Sequence, residues 1–333
     1  MEHKGELGSY TAYILIQNVE LKSSKLLFDK FSIRRIDNSN WEQLKDIFKL
    51  NAVKKVGQCF IERRYDKLAR PPKDSIDDSG LGRIPYDSED LMVLMRLFKG
   101  GDIVFVAQAF RTPISDTLSQ YPYPRAFSSY RSSFHYKMSE VEIPLFNEFF
   151  KEVRKWPGWN SSWFKIARRY FLWGGSKEFR PGRDNERILD YMIALEASYV
   201  FEMDFVSRRL RERTAGILGG TEKEQSGFRK RINDFYGIRS TLSHGSPLSS
   251  RQVGIIKKES LLFEQDVRQL LKSILRNCLS DENKRREHPR ELYDISDHER
   301  AKNDNLGFPS DQGHENQART SGKIETEMLK DYL

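Results

Sequence analysis

Tyr236 to Pro247 read YGIRSTLSHGSP, and this stretch decides how the second half of the chain folds. Just upstream, Phe228, Ile232 and Phe235, joined by Leu242, recur so that they fall within about 80° of one another on a helical projection. They form one apolar stripe, and a helix is expected over 226–243. Gly245 suits the left-handed position after a helix, and Pro247 pushes Ser246 out of the helical region, so the helix stops near His244. Arg239, however, lies in the middle of the stripe, where an apolar side chain is expected.

Working outward, helical periods recur at about 144–156, 161–173, 185–218 with a break, and 259–279. Pro144 suits a first helical turn, and Gly174–Gly175 and Gly219–Gly220 suit helix ends. An all-α bundle over 144–280 is the economical reading. The first 110 residues differ. YTAYILIQNVEL and KLLFDKFSIRRI carry β-branched and aromatic residues in short runs that suit paired strands. In NSNWEQLKDIFKL, Ser39 and Glu42 stand at capping-box spacing ahead of Leu44 and Phe48. Residues 70–87 read as a surface loop, Leu91, Leu94, Met95 and Phe98 as a helix, and DIVFVAQAF as a buried strand. The expected fold class is therefore α+β: a small N-terminal α+β domain over 1–110, a Pro-, Ser- and Tyr-rich connector over 111–143, the helical bundle, and a polar tail over 281–333. The tail has too few large apolar residues to offset its ordering entropy, although its last residues, GKIETEMLKDYL, suit a short amphipathic helix on a partner.

Among the 333 residues there are two cysteines, Cys59 and Cys278, and six histidines, with no zinc-type spacing. Neither a disulfide framework nor a protein-held metal is expected, and no cofactor fingerprint of the P-loop or Rossmann type occurs. No apolar run approaches membrane-spanning length, so a cytoplasmic protein without a membrane partner is expected. The net charge of +8 favours polyanionic partners such as nucleic acid.

A second charge sits where apolar residues are expected. On the helix near 186–203, Leu189, Met192, Ile193, Tyr199, Val200 and Met203 form an apolar face with Glu196 at its centre. A buried charge without a partner costs several kcal/mol, so the pattern requires either an Arg239–Glu196 ion pair or a polar cleft. In the cleft reading Arg239 grips an anion, a phosphate suiting its two-pronged guanidinium, and Glu196 orients it from behind. His244 adds a group able to move protons near neutrality. Five residues apart on a straight helix, the two point about 140° away from each other. They share a pocket only if His244 swings back past the helix stop or meets the arginine of a second copy. A cap on the helix dipole is the plainer role for His244.

Arg239 and His244 match the R-x4-6-H signature, and the wider wording of 144–280 resembles the Apea-like branch of the HEPN superfamily. ILDYMIALEASYV, LRERTAGILGG and FYGIRSTLSHG stand in the family's order. The resemblance implies a helical fold and a homodimer. It also implies metal-independent RNA cleavage by attack of the ribose 2′-hydroxyl on the adjacent phosphate, in prokaryotic anti-phage defence or as a toxin-like effector. Carried onto this chain, Arg239 neutralises the scissile phosphate and His244 assists proton transfer, with Glu196, Ser240, Tyr236 and Arg213 supporting the site or binding RNA. Ser240 departs from the Asn, Asp or His that often follows the arginine in nuclease branches, and serine is a poor proton shuttle. A non-catalytic module binding RNA, nucleotide or a protein is the alternative. The N-terminal domain is then the place for a sensor of a phage or host trigger.

Three other runs carry charge. RKWPGWNSSWFKIARRYFLW interleaves cations and aromatics, as single-strand binders do, yet Trp163, Ile166, Tyr170 and Trp173 recur at helical spacing and so suit a core stripe. RRLRERTAG suits either an RNA groove or a solvated helix face, and NKRREHPR suits nucleic-acid contact from the tail.

Overall fold

The computed structural model describes residues 10–23, 25–28, 31–48, 59–65, 86–101, 103–111, 120–122, 136–176, 184–201, 205–218 and 220–279. The loop expected before residue 86, most of the connector, Met203, the NKRREHPR run and the tail lie outside them. The fold is α+β. Two compact units make it up, one comprising 1–150 with 169–190 and the other 151–168 with 191–333.

Among the described residues, the first unit holds every strand. β1 (Tyr10–Gln17), β3 (Lys25–Phe28), β4 (Phe31–Arg35), β5 (Cys59–Tyr65), β6 (Val104–Arg111) and β7 (Gln120–Pro122) form one antiparallel sheet in the order β3-β4-β5-β1-β6-β7. β1 is central, with Ile14 opposite Ile61 on one side and Gln108 on the other. Ala12 to Gln17 are all buried, which is why YTAYILIQ reads as an almost continuous apolar run instead of alternating. Asn18 then takes a left-handed φ of 64°. It directs β2 (Val19–Leu21) into a separate parallel pairing with β8 (Tyr136–Met138).

α1 (Asn38–Phe48) starts two residues earlier than a Ser39 cap implies. Asp37 Oδ1 accepts from the backbone N–H of Ser39 at 2.9 Å and of Asn40 at 3.1 Å, and the Asp37 N–H is satisfied by Asn40 Oδ1 at 3.0 Å. The box is thus Asp37–Asn40 and not Ser39–Glu42; the hydrogen bond from the Ser39 hydroxyl and that from the Asn40 N–H hold the Asp37 carboxyl below its ordinary range. α2 (Tyr86–Phe98) is buried from Asp90 to Phe98, Arg96 included. Arg96 Nη1 donates to the carbonyl of Phe171, and its guanidinium lies 4.4 Å from the Phe171 ring centroid. A Cβ on Gly175 would stand 1.8 Å from the Arg96 guanidinium carbon. The glycines at 174 and 175 lie inside the last described turn of α4 (Ser162–Ser176), the helix that follows α3 (Glu142–Lys155). Gly175 instead leaves room for a buried cation.

In the second unit α6 (Val206–Leu218), α7 (Glu222–Ser243) and α8 (Ser250–Leu279) join the residues from Tyr191 to Tyr199 of α5 (Asp184–Tyr199). Phe235 of α7 stacks on Phe263 of α8, with centroids 4.1 Å apart and planes 15° from parallel, and Tyr191 meets Phe263 edge-on. The Tyr199 hydroxyl donates to the Leu270 carbonyl at 2.6 Å. α8 is longer than the periodicity alone indicates. Ser249 caps it, its Oγ accepting from the Gln252 N–H while Gln252 Oε1 accepts from the Ser249 N–H at 3.0 Å.

Candidate functional site

The site is built on α7. A capping box opens the helix: Thr221 Oγ1 accepts from the Glu224 N–H at 3.3 Å, and Glu224 Oε2 from the Thr221 N–H at 2.8 Å. Its buried residues are Ile232, Phe235 and Ile238, while Phe228 and Leu242 are half-buried. Including Ile238 turns the stripe by about 20°, so Arg239 stands off its centre, between Ile232 and Phe235 on the projection. The same shift occurs on α5. Tyr191, Met192, Leu195 and Tyr199 are buried, whereas Ile193 and Glu196 are half-buried.

The two helices share one ion pair. Arg239 Nη2 donates to Glu196 Oε2 at 3.0 Å, with the side chains 30% and 18% exposed. The Arg239 guanidinium carbon lies 5.8 Å from the Tyr236 ring centroid, within cation–π reach. Burial pushes the Glu196 carboxyl above its ordinary range; the attraction and hydrogen bond of Arg239 oppose that without cancelling it. Glu196 Oε1 is buried and has no hydrogen-bond partner among the described residues. The guanidinium is thus held through one nitrogen by a carboxylate while part of it faces solvent.

The helix then closes as the glycine and proline indicate. His244 has φ −88° and ψ 5°, and its N–H reaches the Ser240 carbonyl at 3.2 Å. Gly245, at φ 69°, donates to the Leu242 carbonyl at 3.0 Å, and Ser246 donates to Thr241 at 3.1 Å. These two bonds are those of a Schellman closure. Because α7 remains helical through Ser243, His244 leaves the axis about 140° away from Arg239. The stop comes too late for the backbone to turn His244 back to the arginine of its own chain. His244 is exposed, and Tyr236 and Ser240 are half-buried.

Arg213 has a different position. It is 3% exposed, and its Nη1 donates at 2.8 Å to the carbonyl of Tyr199, the last residue of α5. Its guanidinium serves the interior of the unit as a cap on that helix end. Residues that the sequence did not flag fix the turn beside His244. Gln252 Nε2 donates to Thr241 Oγ1 at 2.9 Å, and the Ser249 hydroxyl donates to Gln252 Oε1 at 3.1 Å. The S-x-x-Q spacing of Ser249 and Gln252 was the available signal. Arg251, whose side chain is 80% exposed, and the exposed Lys257 and Lys258 add positive charge to the first turns of α8.

Among the described residues, no cluster of three or more His, Cys, Asp or Glu is placed to hold a metal ion, and no helix is long and apolar enough to cross a membrane. No family model matches the chain, and neither a curated protein nor a solved structure does.

Proposed function

We propose that the helical unit is a metal-independent endoribonuclease of the HEPN type. The observation that carries this reading is an arginine held by Glu196 whose side chain is still 30% exposed, five residues before an exposed histidine at a fixed helix stop. In the reaction the ribose 2′-hydroxyl loses its proton and bonds to phosphorus, the P–O5′ bond breaks, and the leaving oxygen takes a proton. Products are a 2′,3′-cyclic phosphate and a 5′-hydroxyl. Arg239 stabilises the extra negative charge on the phosphoryl oxygens, and His244 moves the protons. Tyr236 and Ser240 flank the arginine in sequence and are the supporting contacts.

The angle between Arg239 and His244 favours a homodimer, with one phosphodiester meeting the arginine of one copy and the histidine of the other. Val253, Leu261 and Leu262 on α8 are exposed, and a Cβ on Gly237 or Gly254 would meet nothing within 4 Å. Such faces suit a second helical pair. The likeness to the Apea-like branch supports a role in anti-phage defence or as a toxin-like effector, with the first unit as the sensor of a trigger.

The test is cleavage of a mixed-sequence RNA by the full chain in EDTA. Cleavage is expected to persist in chelator and to vanish in Arg239→Ala and in His244→Ala, with helical circular dichroism retained. Cleavage that appears only on adding metal refutes the mechanism. Ser240 favours a second reading, a module that binds RNA or nucleotide without cutting it. There Arg239→Ala weakens binding and His244→Ala leaves it unchanged.

A further inference from the structure

At the turn between α7 and α8, Gln252 does more than a helix cap requires. As a cap it pairs with Ser249: Gln252 Oε1 accepts from the Ser249 N–H at 3.0 Å and from the Ser249 hydroxyl at 3.1 Å, while Ser249 Oγ accepts from the Gln252 N–H at 3.3 Å. A glutamate serves such a capping box equally well and adds negative charge at a helix N-terminus, where it is favourable. Only the amide can also donate from its other end, and Gln252 Nε2 donates to Thr241 Oγ1 at 2.9 Å. Thr241 is set to receive that bond. Its hydroxyl donates to the Gly237 carbonyl at 3.0 Å, which commits its proton and leaves a lone pair for Gln252. The Thr241 carbonyl accepts from the Ser246 N–H at 3.1 Å.

The two ends of Gln252 thus tie the last turn of α7 to the cap of α8, and His244 lies within the loop they close. His244 is exposed, so the course of this loop, and not packing in a core, directs its side chain. We infer that Gln252 is a positioning residue for the proposed cleavage, its amide bridge fixing the turn so that the His244 imidazole is in place before RNA arrives. It acts through the backbone of the turn and not on the reacting atoms. The inference rests on the cleavage reading.

The test is the rate of RNA cleavage by the full chain in EDTA, with urea denaturation of the same proteins. Thr241→Val removes the acceptor and adds no charge; Gln252→Glu keeps the cap of α8 and removes the donor. Each is expected to lower kcat by about 10- to 100-fold, the effect of a reacting group displaced by about 1 Å. In Thr241→Val the KM is expected to stay within about twofold of the parental value, since substrate binding is not the function lost. The urea midpoint of Gln252→Glu is expected to stay near the parental one. Thr241→Ser keeps the hydroxyl and is expected to recover most of the rate. The double variant is expected to be no slower than the slower single one, because both remove one bond. Parental kcat in both Thr241→Val and Gln252→Glu overturns the proposal, as does a loss of rate that only tracks a loss of folded protein. A parental chain that does not cut RNA refutes the cleavage reading and this inference with it, an outcome distinct from an active parent matched by its variants.

Discussion

Replacing Arg239 by alanine would leave the Glu196 carboxylate, 18% exposed, facing no cation. Exposed ion pairs contribute about 0.2–1 kcal/mol, and breaking a fully buried pair costs about 3–5 kcal/mol. With its side chains 30% and 18% exposed the pair lies between these limits, and a loss of about 2 kcal/mol at neutral pH is expected. For a urea slope of about 2 kcal/mol per molar, the midpoint of the helical transition falls by about 1 M. The pH dependence follows from the Glu196 carboxyl. Burial already raises it against two lowering influences, and both come from Arg239. Without them it rises further. A carboxyl whose folded pKa exceeds its unfolded value contributes full stability below the ordinary carboxylate range, and that contribution is lost as pH rises through the folded value. The deficit of Arg239→Ala is therefore expected to be small near about pH 4 and to widen toward neutrality. Adding Glu196→Gln in the same chain is expected to recover most of it. Urea denaturation followed by circular dichroism across that pH range is the assay. An Arg239→Ala midpoint equal to that of the parent at every pH would show that the two groups do not interact, and the reasoning would fail.

Gly237→Ala and Gly254→Ala lie inside helices with open space around the added methyl. In the single chain each is expected to raise stability by about 0.5–1 kcal/mol. Gel filtration of the same variants checks whether a second copy covers those faces, in which case association weakens. Gly245 has φ 69° and no neighbour within 4 Å of an added Cβ. Gly245→Ala should cost about 1–2 kcal/mol from backbone strain alone, and Gly245→Asn less, as thermal melting would report. Gly175→Ala drives a methyl into the Arg96 guanidinium. A loss of about 1–3 kcal/mol is expected, with relief in Arg96→Ala,Gly175→Ala measured against Arg96→Ala alone.

Much of the architecture was legible because period and punctuation agreed. The α+β class, the paired strands β3 and β4, and the closure of α7 at Gly245 all follow from local patterns. Phase was harder. On α4 both Trp163–Ile166–Tyr170–Trp173 and Phe164–Ala167–Phe171 satisfy a helical period, and periodicity cannot choose between adjacent faces that are both aromatic. The same one-residue ambiguity set Arg239 at the centre of its stripe when Ile238 in fact extends the buried side. The starts of α7 and α8 were encoded in Thr221–Glu224 and Ser249–Gln252, spacings that a search for apolar recurrence passes over. Arg213, expected to support the site, instead caps the end of α5, and neither it nor Arg96 could be placed from sequence because their carbonyl partners at Tyr199 and Phe171 come together only through the tertiary fold. The Arg239–Glu196 pair was accessible to reasoning because two misplaced charges on two apolar faces implied each other.

The proposal of a site shared between two copies is tested most directly by mixing Arg239→Ala and His244→Ala chains under conditions that exchange subunits. Each is expected to be inactive alone. If one phosphodiester meets the arginine of one copy and the histidine of the other, half of the dimers regain one intact site, and RNA cleavage in EDTA should return to about a quarter of the parental rate. A mixture that exchanges subunits and stays inactive, while the parental chain cuts RNA, would contradict a site shared between copies.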